Sequence, residues 1–179
     1  MNATPAARFR RLFEYERASH AKVLAALGAV PEERRSAPQF QKALDLLAHV
    51  VAARRMWLGR FGVAAAPPGG LEPAGTGLAE LGPSLDEMHA LWTRYLDALT
   101  DDGVQRAFEY RSLDAGWFRN TIEDVLTQLY GHSLYHRAQI ATLLRALGCE
   151  PPITDFIYWA REPIAEPAAA RPQSSPSNA

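Results

Sequence analysis

Asn120-Thr-Ile-Glu-Asp-Val-Leu-Thr-Gln-Leu-Tyr-Gly-His-Ser-Leu-Tyr-His-Arg-Ala-Gln-Ile-Ala-Thr-Leu-Leu-Arg-Ala-Leu-Gly148 is the most periodic stretch of the chain. Ile122, Val125, Leu126, Leu129, His132, Ser133, His136, Ile140, Leu143, Leu144 and Leu147 recur at intervals of three and four. That spacing lines them up along one face of a helix with 3.6 residues per turn, and such a face belongs in a core. Asn120 to Glu123 has the form of a capping box, in which the first side chain and the acid three residues on satisfy backbone N–H groups that a helix start leaves free. Gly148 suits the left-handed conformation that ends a helix, and Pro151-Pro152 forbids continuation.

Working outward, two further segments carry the same period and a third follows a cap. From Ala6 to Leu27 the apolar residues are Phe9, Leu12, Phe13, Val23, Leu24 and Leu27, with Gly28 and Pro31 as stops. From about Gln41 to Gly59, Leu44, Leu47 and Val51 form one stripe and Leu46, His49, Val50 and Ala53 the adjacent one. The stretch from Val63 to Pro83 is rich in Ala, Gly and Pro and is expected to be an irregular connection. Ser84-Leu-Asp-Glu87 is another capping-box pattern, so a third helix is predicted from Ser84 to before Gly103, burying Leu85, Met88, Leu91, Trp92, Tyr95 and Leu99. Residues Ala107 to Phe118 read as two short extended pieces around a turn at Leu113 to Gly116. The fold class expected is all-α: an up-down four-helix bundle over residues 1–162, with a long connection between helices 2 and 3 and a short hairpin before the last helix. Residues 163–179, rich in Ala, Pro, Ser, Gln and Asn, are expected to be a disordered tail.

Composition narrows the function. The chain has 179 residues, with 19 Lys plus Arg against 20 Asp plus Glu and a formal net charge of -1. That balance argues against nucleic acid as a partner, since non-specific binding rests on a basic surface. Cys149 is the single cysteine, so an intrachain disulfide or a cysteine-rich zinc site is ruled out. The N-terminus lacks the apolar stretch of a secretion signal, and no apolar run is long enough to span a bilayer. A cytoplasmic protein without a membrane partner is the expectation.

The five histidines are His20, His49, His89, His132 and His136. His132 and His136, four apart, share one helix face and can share a metal. A lone inward histidine more often bonds a backbone carbonyl, so the pair needs support, and His49 on the apolar face of the second helix gives it. Three inward imidazoles on two helices match the three-ligand arrangement that leaves a coordination position open to water or substrate. Other polar residues carry blander readings. Asp45, one turn before His49, is either an orienting partner of that ring or a solvated residue. Glu16 and His20, one turn apart, either approach the site from the first helix or form a surface pair at i,i+4, the commoner case. Arg137 is expected to leave the core and pair near the helix end, with Asp155 a candidate partner; Tyr135 to pack as an aromatic, with a substrate-side hydroxyl as the alternative; and His89 to be structural. Cys149 follows a helix C-terminus, where the dipole disfavours a thiolate.

His132-Ser-Leu-Tyr-His136-Arg137-Ala-Gln139 resembles the H-x-x-x-H-R-x-Q stretch of the DinB/YfiT-like family of metal-dependent proteins. Leu46-Leu47-Ala48-His49 followed by Met56-Trp57-Leu58 looks like that family's second helix, and Tyr15 to Leu27 like its first. Tyr110 to Asp114 and Gly148 to Asp155 resemble its hairpin region and the signature after the last helix. The similarity spans about residues 7 to 161 in the family's order. It implies a four-helix bundle, a divalent metal (zinc or nickel) held by His49, His132 and His136, and a homodimer. It further implies a metal-dependent enzyme acting on a small molecule, a low-molecular-weight-thiol transferase or a thiol-dependent isomerase; metal-dependent hydrolysis is a close chemical variant. The alternative is a non-catalytic metal-binding or structural dimer. Phe9, Phe13, Trp92 and Tyr95 add to the dimer expectation as an aromatic surplus for one core. Gln128, Gly131 and Ala138 depart from common family residues, which leaves the substrate open.

Overall fold

A computed structural model describes residues 3–66, 70–112 and 116–165. Four long helices dominate it: α1 (Pro5–Gly28), α2 (Pro38–Arg60), α3 (Leu78–Ala98) and, after a short α4 (Asp101–Gln105) and two strands, α5 (Ile122–Ala146). The strands β1 (Ala107–Arg111) and β2 (Trp117–Thr121) form an antiparallel hairpin in which Glu109 faces Arg119. A five-residue helix α6 (Phe156–Ala160) follows α5. The hairpin foreseen between the third and last long helices is therefore present, while residues 113–115 of its turn lie outside the described residues. So does the expected disordered tail from residue 166 onward.

The helix starts follow local chemistry. Thr4 Oγ1 accepts from Ala7 N, and Pro5 occupies the first turn, where its missing N–H is harmless. Pro38 opens α2 in the same way. At the start of α5 the capping box is formed one residue later than the sequence pattern indicates. Thr121 Oγ1 accepts from Asp124 N at 3.1 Å, and Asp124 Oδ2 accepts from Thr121 N at 2.8 Å. Asn120 instead belongs to β2, where its side chain joins Tyr110 across the hairpin. At the far end Gly148 takes φ 67°, and Arg34 donates to the free carbonyls of Leu147 and Gly148 at 2.7 and 3.1 Å.

The third helix differs most from its expectation. It begins at Leu78, so Ser84 lies inside it and forms no cap, and Pro83 is accommodated within the helix. The proline forfeits one backbone bond near the start, whereas starting early places Leu81 and Leu85 in the core, 1% and 3% exposed. The helix also stops at Ala98, and Thr100 caps the separate α4.

Contacts along the four long helices step in consistent directions. Arg10 of α1 reaches the carbonyls of Leu96 and Leu99, and His20 reaches His89, so α1 and α3 are antiparallel. Arg54 of α2 reaches the carbonyl of Leu129 and His49 reaches His132, so α2 and α5 are antiparallel too. Arg55 pairs with Glu87, and Phe61 stacks on Tyr95, so α2 and α3 run the same way. Strict up-down alternation therefore does not extend to α2 and α3. The long connection between them carries the chain back to the end where α2 began, which a short turn cannot do.

The core holds Leu27, Leu47, Leu58, Leu81, Met88, Trp92, Ile122, Leu129, Ile140 and Leu144, each at most 2% exposed. It also takes in Phe9 and Phe13, and Tyr95 stacks on Phe61 at its edge. One chain thus absorbs the aromatic residues read from the sequence as a surplus. No helix among the described residues is long and apolar enough to cross a membrane.

Candidate metal centre

The antiparallel packing of α2 on α5 brings His49 opposite the turn that carries His132 and His136. The Nε2 atoms of His49 and His136 each lie 3.1 Å from Nε2 of His132. One nitrogen from each ring falls within 4.8 Å of the other two, and this is the one such cluster of three or more metal-binding side chains among the described residues. All three histidines named from the sequence therefore converge.

Their outer nitrogens define what the inner ones can do. His49 Nδ1 donates to the carbonyl oxygen of Leu71 at 2.5 Å, with Glu72 Oε1 at 3.8 Å on the same side. His136 Nδ1 donates to Gln139 Oε1 at 2.7 Å. A neutral ring whose Nδ1 carries the proton presents an unprotonated Nε2. Two lone pairs are thus aimed at the space that His132 Nε2 also faces. Burial, followed by the neighbouring His136 and His49, pushes the pKa of His132 down to about 4. Burial also lowers that of His136, against the opposing hydrogen bond that its Nδ1 donates to Gln139. Both shifts favour the neutral form of His132 and His136, the form that binds metal. A cation between the rings would take up the converging lone pairs, and an all-imidazole set with carbonyl or amide partners on the outer nitrogens suits zinc, nickel, copper or iron. The residues present fit a divalent transition metal.

His49 and His136 also line a cleft of 740 Å³ between α2, α5 and the connection that follows α2. Lys42, Asp45, Glu72, Tyr135 and Gln139 are among its walls. Tyr135, 62% exposed, stands edge-on to His136 and lines this cleft, rather than packing in a core. Asp45 is not a free surface residue, and it makes no direct hydrogen bond to His49. Its Oδ1 accepts from Gln41 Nε2 and from Thr76 N. Gln139 was named in the sequence only as part of a motif. Its position three residues after His136, within reach on one helix face, is the signal that marks it as the partner of that ring.

A second polar group lies behind the first, and here the sequence reading fails. Glu16 and His20 are not a surface pair: they are 3% and 0% exposed. Glu16 forms an ion pair with Arg54, itself 3% exposed, and Arg54 also stands over the Phe13 and Trp92 rings. Arg137 does not leave the core. It is 3% exposed and donates to Tyr15 Oη at 2.8 Å, and Tyr15 in turn donates to the carbonyl of Thr154. His89 has a partner after all, since its Nε2 lies 3.1 Å from His20 Nδ1. The ring centroids are 5.4 Å apart with only 11° between planes. With the nitrogens that close, the rings lie end to end, as in an N–H···N hydrogen bond, rather than face to face. His20 Nε2 continues the line to Ser133 Oγ at 2.9 Å. Helical spacing alone cannot distinguish a buried polar stripe from a solvated one. The partners that make burial tolerable come from other helices.

Fold and site together define a mostly helical protein in which two antiparallel helices present three histidines able to hold a metal ion beside a cleft. Residues 1–168 match the sequence model of the DinB family, and the chain belongs to that family. The crystal structure of a DinB-like protein from Bacillus cereus ATCC 10987 superposes with a TM-score of 0.64 at 20% identity, over 86% of this chain and 99% of that one. At that identity the likeness is one of fold. No curated protein matches the chain.

Proposed function

We propose that His49, His132 and His136 hold a divalent transition metal, zinc or nickel, and that the protein is a metal-dependent enzyme acting on a small molecule. The supporting observation is that the inward Nε2 atoms converge beside an open cleft. A divalent cation at such a position lowers the pKa of a coordinated thiol or water. The reaction class we favour is transfer of a low-molecular-weight thiol, with metal-dependent hydrolysis as its close variant. A thiol transferase needs no protein nucleophile, and Cys149 sits beside the end of α5, away from the residues that line the cleft. His49 and His136 present ligands to the cleft, and Tyr135 and Lys42 offer a hydroxyl and a cation to its contents.

A non-catalytic metal site is the second reading. A structural zinc site is closed by four protein ligands. Among the described residues only three side chains meet here, which favours the open, catalytic kind. We further propose that α1, α2, α3 and α5 form a four-helix bundle with its crossover between α2 and α3, that the chain is a cytoplasmic homodimer, and that nucleic acid is not its partner.

The test is metal loading followed by turnover. The chain is expected to retain about one equivalent of zinc or nickel, and His136→Ala to lose it while keeping its helical circular dichroism. Glutathione, bacillithiol, mycothiol and cysteine, each offered with a halogenated aromatic electrophile, then test transfer. Metal-dependent conjugation that disappears in His136→Ala supports the enzyme. Metal retention without turnover, together with a melting temperature that drops on chelation, favours the structural reading. A chain that retains neither metal overturns both.

A further inference from the structure

Asp45 and His49 lie one turn apart on α2, yet the carboxylate bonds not to His49 but to Gln41 on the same helix and to the connection that follows α2. Asp45 Oδ1 accepts from Thr76 N at 3.1 Å and from Gln41 Nε2 at 2.9 Å, and Gln41 Nε2 also donates to the carbonyl of Thr76 at 3.1 Å. The same segment delivers the carbonyl of Leu71, which accepts from His49 Nδ1 at 2.5 Å. Gly70 and Gly75, both at φ 72°, bracket residues 71–74. That left-handed backbone folds the segment over the α2 face. One stretch of chain is therefore pinned at two points of α2, by Asp45 with Gln41 at Thr76 and by His49 at Leu71.

We propose that Asp45 is a positioning residue for His49. By holding Thr76, it keeps the Leu71 carbonyl against Nδ1 and commits the ring to the tautomer whose Nε2 lone pair faces His132 and His136. The proposal rests on the metal reading of the triad and assigns a role to a residue that is no ligand. The physical argument is one of acceptors. The Leu71 oxygen has no proton to give, and Glu72 Oε1 lies on the same side. A neutral His49 held there must therefore carry its proton on Nδ1. Released from that carbonyl, the ring can take either tautomer and rotate about its side-chain bonds, and part of the population then offers an N–H where a lone pair is needed. Partners of this kind on metal-ligating histidines change metal affinity by about 10- to 100-fold when removed.

The test uses the full chain with zinc alone as the probe. Gln41→Ala/Asp45→Ala removes the clamp. Asp45→Asn keeps an oxygen acceptor for Thr76 N while removing the charge. Zinc affinity is read by competition with a chromophoric chelator, and the His49 tautomer by ring nitrogen NMR shifts in the metal-free protein. The double variant is expected to bind zinc about tenfold more weakly and to show mixed His49 tautomers, with Asp45→Asn within about threefold of wild type and retaining one tautomer. Unchanged affinity and a single tautomer in the double variant overturn the proposal. So does an Asp45→Asn loss as large as that of the double variant, because the carboxylate would then act through its charge. If the wild-type chain binds no zinc, the metal reading fails, and the tautomer measurement on the metal-free chain still decides whether the clamp operates.

Discussion

Glu16 shows how much a single side chain can carry in this core. It and Arg54 are each 3% exposed, and both Glu16 Oε1 and Arg54 Nε are buried without a hydrogen-bond partner among the described residues. The pair is satisfied enough to persist but not fully enclosed in hydrogen bonds, so each ion depends on the other. Removing the carboxylate leaves a guanidinium buried against the Phe13 and Trp92 rings with only the Leu129 carbonyl, at 3.5 Å, to accept from it. Glu16→Ala is expected to destabilise the fold by about 3–5 kcal/mol, the range for breaking one side of a buried ion pair. Urea denaturation followed by circular dichroism measures it. A loss below about 1 kcal/mol would mean that Arg54 finds water once Glu16 is gone. The double replacement Glu16→Leu/Arg54→Met should recover much of the loss, since apolar substitutes for both partners avoid the unpaired charge.

At the scale of elements, the capping box of α5 is the clearest local device. Thr121 ends β2 and opens α5 at once, so its side chain fixes the angle at which the hairpin enters the helix that bears two of the three histidines. Thr121→Ala removes the acceptor for Asp124 N and is expected to reduce stability by about 1 kcal/mol. A urea midpoint within error of wild type would show that the hairpin alone sets the helix start. The sequence makes this element legible to within one residue, because apolar periodicity and a stop at Gly148 are local signals. The start of α3 is less legible. Ser84 and Glu87 form a good capping pattern, but the gain from burying Leu81 lies in contacts with other helices, which no local pattern encodes. The triad was legible because His49, His132 and His136 sit on apolar faces, and an imidazole there requires a partner. Burial of Glu16, His20 and Arg137 was not legible, since an i,i+4 pattern of polar residues looks the same on a solvated face.

Across the whole molecule, the histidines make the fold sensitive to mild acid. His20 is fully buried, and desolvation, then the cationic Arg54, the neighbouring His89 and Arg137, hold its pKa well below the ordinary value of 6.5. Burial, with Arg17 and Arg54 adding to it, takes His89 down to about 4. His132 is likewise at about 4, through burial and the two other rings of the triad. In the unfolded chain these groups take up protons near pH 6.5. Between about pH 6.5 and 4 the unfolded state therefore binds more protons than the folded one, and stability must rise with pH across that window. Above it the histidines are neutral in both states and contribute no slope. Asp124 acts elsewhere: the backbone and side chain of Thr121 and the side chain of Asn120 lower its pKa below 3.8, so its contribution is lost only as pH falls further. The urea midpoint of the metal-free protein is expected to be level from pH 8 to 7 and to fall steadily from pH 6.5 to 4. His89→Gln keeps a polar partner for His20 but removes one titrating ring, so its midpoint should fall less steeply over the same range. A level midpoint down to pH 4, or an identical slope in His89→Gln, would show that the ring pair takes up protons in the folded state as readily as in the unfolded one. The His20–His89 line could not then be the neutral N–H···N contact that the ring geometry describes.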